Sequence, residues 1–164
     1  MRVRRATRDD IRAIAELERE SPTSANWSDE HYESFFRNNT PELSRNLVFV
    51  VEDPSEAESV AGSVGEPSIV AYLAAQCVDG DWDLQYVVVV RKYRRRGLAT
   101  LLMNELLGVA RSENGRQIFL EVRESNQSAR ELYRKAGFRE IGTRKGYYVC
   151  PAEDAILYHL NVSL

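Results

Sequence analysis

"LQYVVVVRKYRRRGLATLLMNELLGVA", residues 84–110, decides the fold. Its opening residues are apolar and β-branched over 84–90 and read as a buried strand. From Leu98 onward, Leu101, Leu102, Leu106 and Val109 keep helical spacing, so a helix is predicted to run to about Gly115. Between the two lie Arg94, Arg95, Arg96 and Gly97. A strand, a short turn and a helix opening at Gly97 gather unpaired backbone amides at one point, which makes an anion site. Three arginines at the positive end of a helix dipole repel it unless an anion sits between them, and phosphate answers that need. A solvated basic turn is the plainer alternative that the run alone allows. The stretch has neither GxxxxGK nor GxGxxG, so it is not a P-loop or a dinucleotide-binding turn.

Outward from this unit, residues 118–122 form a strand, giving a parallel crossover of right-handed sense. Upstream, a short strand over 3–6 leads to Thr7 and Asp10, a capping-box-like start for a helix with Ile11, Ile14 and Leu17 on one face. A second helix runs from a Ser28 cap through His31, Tyr32, Phe35 and Phe36. Strands follow at 47–51 and 68–77, joined by a Glu-, Ser- and Gly-rich hairpin loop over 53–67. Downstream, 126–136 is a helix stopped by Gly137, and strands over 138–143 and 155–160 close the chain around a loop holding Tyr147, Tyr148, Cys150 and Pro151. The order βααβββαβαββ predicts an α/β fold on a mixed sheet.

At 164 residues the chain suits one domain, spanning 1–164, and 43% hydrophobic with 29% charged residues is a globular balance. The net charge of -3 argues against a dedicated nucleic-acid binder, so no direct nucleic-acid partner is expected. The start MRVRRATRDDIR lacks an apolar signal core and the aliphatic run over 87–90 is too short to span a bilayer, so no membrane partner and a cytoplasmic location are expected. Cys77 and Cys150 lack CxxC spacing, which indicates neither a disulfide framework nor a zinc site, and no metal is expected. His31 and His159 have no Ser or Cys motif to join.

Arg94, Gly97 and Ala99 form RxxGxA. That pattern resembles the Q/RxxGxG/A motif with which the GCN5-related N-acetyltransferases (GNAT) grip the diphosphate of acetyl-coenzyme A. A second segment, EVRESNQSARELYRKAGF over 121–138, is similar to the ExRxSNxxAxxLYxxxGF signature of the RimI branch, the ribosomal-protein-alanine N-acetyltransferases. NWSDEHYESFF over 26–36 is similar to that branch's "PWS" region. The resemblance covers essentially the whole chain and implies a GNAT fold of about seven strands flanked by about four helices.

It also implies roles. Acetyl transfer to an amine needs a proton acceptor, and by resemblance Glu121 is that group; burial within the apolar strand would favour its protonated form and suit it to the task. A Glu salt-bridged to Arg123 is the plain alternative. Tyr133, on the apolar face with Ala129, Leu132 and Ala136, is by resemblance the proton donor to the coenzyme A thiolate; a core tyrosine is the plain alternative. The resemblance assigns backbone groups of Val87, Val88 and Val89 to the pantetheine arm, and Arg94, Arg95, Arg96, Gly97, Leu98, Ala99 and Thr100 to the diphosphate. Asn126 would contact the coenzyme, or serve as a plain N-cap. Trp27, Tyr86, Tyr147 and Tyr148 would border the acceptor. Tyr86 stands where the family has Asn, Val89 and Val90 are followed by Arg91 instead of a VxP turn, and Pro151 is displaced from the family's YYP. These departures fall around the acceptor site. The implied activity is transfer from acetyl-coenzyme A to a protein N-terminus, first of all the alanine of ribosomal small-subunit protein eighteen. Another N-terminus, a lysine or a small amine is the alternative acceptor, and a non-catalytic coenzyme A or peptide-binding module the alternative class.

Overall fold

In the computed structural model, which describes residues 1–19, 29–37, 44–56 and 68–162, the chain runs β1 (Arg2–Arg5), α1 (Ile11–Arg19), α2 (Asp29–Arg37), β2 (Ser44–Asp53), β3 (Ser68–Val78), β4 (Asp81–Val89), α3 (Leu98–Ser112), β5 (Gln117–Arg123), α4 (Gln127–Lys135), β6 (Arg139–Val149) and β7 (Ala152–Asn161). This is the order read from the sequence. The Ser28 cap, Trp27 and most of the acidic hairpin loop lie outside the described residues.

The strands form one sheet in the order β1-β2-β3-β4-β5-β7-β6. Every neighbouring pair is antiparallel except β4 and β5, which α3 connects in parallel. α3 and α4 cover one face, packing Leu102, Leu106 and Tyr133 against Leu73, Leu120 and Val122. α1 and α2 cover the other, packing Ile14, Leu17 and Phe35 against Val50, Tyr72 and Val88. Covered on both sides, β3 is buried almost without alternation from Val70 to Ala75, as a central strand must be. Truncating a side chain such as Leu102, which is fully buried, to Ala costs about 2–5 kcal/mol at such a site.

Thr7 and Asp10 act as the sequence suggests. The Asp10 carboxylate accepts from the Thr7 amide at 2.7 Å and from both Arg4 terminal nitrogens at 2.7 and 2.8 Å, tying β1 to the helix start.

Several strands differ from the sequence reading, β2 among them, which runs Ser44–Asp53 rather than 47–51. β4 begins at Asp81 rather than Leu84, because the polar residues Asp81 and Asp83 hide the strand from an apolar-run criterion. The last hairpin is longer on both sides: Tyr147 and Tyr148 belong to β6, and the turn is confined to Cys150 and Pro151. An 11-residue strand with mostly exposed side chains lacks the apolar alternation that would announce it.

Candidate active site

The sheet opens where the one parallel pair among the described residues stops. The β4–β5 ladder runs from Asp81↔Gln117 to Leu84↔Leu120 and ends, although β4 continues to Val89 and β5 to Arg123. A bulge marks the spot: on β3, Ala75 faces Leu84 and Ala74 faces Tyr86, which leaves Gln85 unmatched. A bulge bends and twists its strand, and here it turns β4 away from β5. The backbone edge of Val87, Val88 and Val89 on the β5 side thereby lacks a strand partner among the described residues, and an extended chain can add to it by backbone hydrogen bonding.

At the end of that edge stands the tip of α3. Arg95 and Gly97 both adopt left-handed backbone, with φ of 64° and 81°, and Gly97 caps the helix with no side-chain hydrogen bond. A Cβ on Gly97 would meet nothing within 4 Å, so glycine is required by conformation rather than by space. The first capped amide belongs to Leu101, which donates to the Gly97 carbonyl at 2.9 Å. The amides of Leu98, Ala99 and Thr100 have no backbone partner among the described residues, and free amides at a helix start can bind an anion. Arg94, Arg95 and Arg96 are exposed and none has an acidic partner among the described residues. Arg94 folds back, its Nε donating to the Val89 carbonyl at 3.1 Å, and Arg96 lies over the Tyr93 ring at 5.0 Å. Tyr93 in turn anchors the turn, donating its hydroxyl to Asp53 at the end of β2 at 2.8 Å.

Glu121 and Tyr133 lie on opposite faces of β5. β5 alternates, with Ile118, Leu120 and Val122 buried towards α3 and α4, so Glu121 projects to the other side. Its side chain remains 28% exposed and pairs with Arg144 at 2.5 Å. The burial expected of it is therefore only partial, and its cation is Arg144 on β6, not the sequence neighbour Arg123, which pairs with Glu153 at 3.2 Å. The Tyr147 hydroxyl also bonds Glu121, which holds the phenol's pKa above its ordinary value. What brings Tyr147 there is a register shift between Arg144 and Tyr148, where residues 145–147 bulge opposite Asp154. The Asp154 carboxylate holds that bulge, accepting from Lys145 Nζ at 2.6 Å and from the Gly146 amide at 2.8 Å, with Gly146 at φ +60°.

Tyr133 is 8% exposed, packed at a tilt between Phe138 and Tyr158 at ring distances of 5.9 and 6.1 Å. Its hydroxyl makes no hydrogen bond among the described residues, and burial, followed by nearby Tyr148, pushes its pKa up. It stays protonated at neutral pH with its proton uncommitted. Tyr148 lies beneath the Arg123 guanidinium at 4.1 Å, and burial raises its pKa to about 12. Asn126 is the α4 cap, its Oδ1 accepting from the Ala129 amide at 3.2 Å. Tyr86 is half-buried at the edge of the α1–α2 cluster.

Glu121 shares a cleft of about 220 Å³ with Asp83, Phe119, Ile141 and Leu157. Sequence reasoning missed Arg144, Asp154 and Asp83. No local motif marks them, and only the β5-β7-β6 adjacency brings Arg144 to a carboxylate 23 positions earlier.

The model of the acetyltransferase (GNAT) family matches residues 11–138. The chain belongs to the GNAT family. It is 36% identical over 92 residues to the [ribosomal protein bS18]-alanine N-acetyltransferase of Haemophilus influenzae, covering 54% of this chain and 62% of that protein. It is 40% identical over 72 residues to an N-alpha-acetyltransferase of Saccharolobus solfataricus, covering 43% of this chain and 42% of the relative. The matched region thus spans less than two thirds of either relative. Among solved structures, the Escherichia coli ribosomal-protein-S18-alanine N-acetyltransferase superposes with a TM-score of 0.77 at 25% identity, covering 99% of this chain and 94% of that one. Arabidopsis thaliana NAA60 in complex with acetyl-CoA superposes with a TM-score of 0.81 at 18% identity, over 98% of each chain, which bears on the fold.

Proposed function

We infer that this GNAT protein is an acetyl-coenzyme A-dependent N-acetyltransferase acting on a protein N-terminal α-amine, with the N-terminal alanine of the small-subunit ribosomal protein bS18 as its leading acceptor. The observation that carries this reading is the interrupted β4–β5 ladder, with bare amides at one end of its free edge and Glu121 at the other. An elongated donor with an anionic bridge at one end and a thioester at the other fits that line. The diphosphate falls to the α3 tip and its arginines, and the pantetheine arm to the Val87–Val89 edge, where backbone amides polarise the thioester carbonyl.

An N-terminal amine has a pKa of about 7.7–8.0, so a carboxylate need remove its proton only partway to make it nucleophilic near neutrality. As the amine nitrogen bonds the acetyl carbon, Glu121 accepts the nitrogen's proton, directly or through a water. The carbon–sulfur bond breaks, and Tyr133, protonated and uncommitted, returns a proton to the sulfur. The names of the relatives support the acceptor class.

The test is mass spectrometry of peptides differing only in their first residue, incubated with acetyl-coenzyme A. Acetylation of the Ala-starting peptide ahead of the others is expected. No acetylation of any N-terminus, or acetylation confined to lysine side chains, refutes the reading.

A further inference from the structure

The cleft that holds Glu121 contains a second carboxylate. Asp83 sits on β4 opposite Phe119, one rung before the parallel ladder ends, and therefore beside the point where the sheet opens. Its neighbours Trp82 and Leu84 are buried towards α3, which directs Asp83 to the cleft face that Glu121 and Phe119 share. Asp83 is exposed to solvent where it lines the cleft, so it is open to a ligand. Glu121 has its cation in Arg144 and a further hydrogen bond from Tyr147. Asp83 has only the Gln85 side chain as a hydrogen-bond partner, and no cation pairs with it among the described residues. Although solvent reaches it along the cleft, the surrounding protein, and next the charge of Glu121, raise its pKa above the ordinary aspartate value.

Counting Asp83 and Glu121 against Arg144 leaves one negative charge in the cleft without a counter-ion among the described residues. The proposed acceptor is mostly an ammonium ion at neutral pH. We propose that Asp83 is the docking carboxylate of this cleft: it receives the acceptor amine in its charged form and makes the site favour N-termini bearing extra positive charge over those bearing negative charge. This rests on the acceptor being an amine bound in this cleft, as the proposed function holds. The division of labour follows from the partners: Arg144 and Tyr147 keep Glu121 oriented for proton removal, while Asp83 is free to hold a cation. A unit charge within about 8 Å of another, at the effective dielectric near a protein surface, changes affinity by about tenfold or more.

The experiment uses the full chain with coenzyme A bound and measures calorimetric affinity for an Ala-starting peptide and its N-acetylated twin. In wild type the free amine is expected to bind about tenfold tighter. That difference should fall below about twofold in Asp83→Asn and return in Asp83→Glu, with affinity for acetyl-coenzyme A equal in all three proteins as the measure of an intact fold. In wild type alone, a peptide with Arg at its second position should outbind one with Glu there by a similar factor. Equal binding of the twins by wild type, binding of neither, or discrimination undiminished in Asp83→Asn overturns the assignment. Asp83-dependent binding without acetylation of any N-terminus would keep it and refute the proposed function instead.

Discussion

The two ends of the opening in the sheet are built by different means. At the α3 tip the candidate groups are backbone amides, placed by Gly97, by the left-handed Arg95 and by the helix itself, and apart from the Tyr93–Asp53 hydrogen bond a dozen consecutive residues supply them. At the Glu121 end the groups to which the proposed function assigns work are side chains from three strands: Glu121 from β5, Asp83 from β4, and Arg144 with Tyr147 from β6. A backbone site tolerates side-chain change as long as its dihedral angles survive. A side-chain site is lost with one functional group. The donor end should therefore respond to conformation and the acceptor end to chemistry.

The sharpest way to break that contrast is to remove chemistry without shape. Glu121→Gln keeps the size and the hydrogen-bonding reach towards Arg144 and Tyr147, and should lower kcat/KM for an Ala-starting peptide by about 10²–10⁴-fold. Tyr133→Phe should lower kcat by about 10²-fold, at the lower end of that range, because water can replace a proton donor. Affinity for acetyl-coenzyme A should be unchanged in both when measured by calorimetry. Loss of coenzyme binding in either variant would mean that the two ends are not separable.

The same contrast explains what could be read in the sequence. The α3 tip was legible because glycine and a basic run encode its backbone locally, and β5 was legible as a strand because residues 118–122 are apolar apart from Glu121. Glu121 and Tyr133 could be picked out by motif, yet the setting of Glu121 could not. Its cation arrives from β6 across the intervening β7, and Tyr147 reaches it only through a register shift held by Asp154. Asp83 escaped for a related reason: it breaks the apolar run that defined the strand, and it does so because its side chain faces a cleft rather than a core.

A smaller effect sharpens the donor end. Gly97→Ala introduces no clash, since open space surrounds the position, but it forces a residue with a Cβ to hold φ near +81°. The strain is about 1 kcal/mol, which would appear as a loss of stability of that size or, if the tip relaxes away from its left-handed turn, as several-fold weaker acetyl-coenzyme A binding. The kcat at saturating coenzyme should stay near wild type. A fall in kcat with unchanged coenzyme affinity would assign Gly97 to the acceptor end and contradict the separation.

The least conspicuous support of the tip titrates. Asp53 is buried at the end of β2, and hydrogen bonds from the Ser55 side chain, the Ser55 amide and the Tyr93 hydroxyl hold its pKa down at about 2. An unfolded aspartate has a value of about 3.9, so the folded state binds this proton less readily than the unfolded state does. The stabilisation is complete above pH 4 or so and is lost as pH falls from about 4 towards 2. Asp53→Asn removes the titrating group and should flatten the acid side of a plot of melting temperature against pH in that window, while lowering stability at neutral pH. Because Tyr93 immediately precedes the arginine run, the variant should also weaken acetyl-coenzyme A binding modestly at pH 7 while leaving the KM for the peptide unchanged. A peptide KM that moved instead would show that the β2 anchor serves the side-chain end, and that the backbone cradle holds its shape without it.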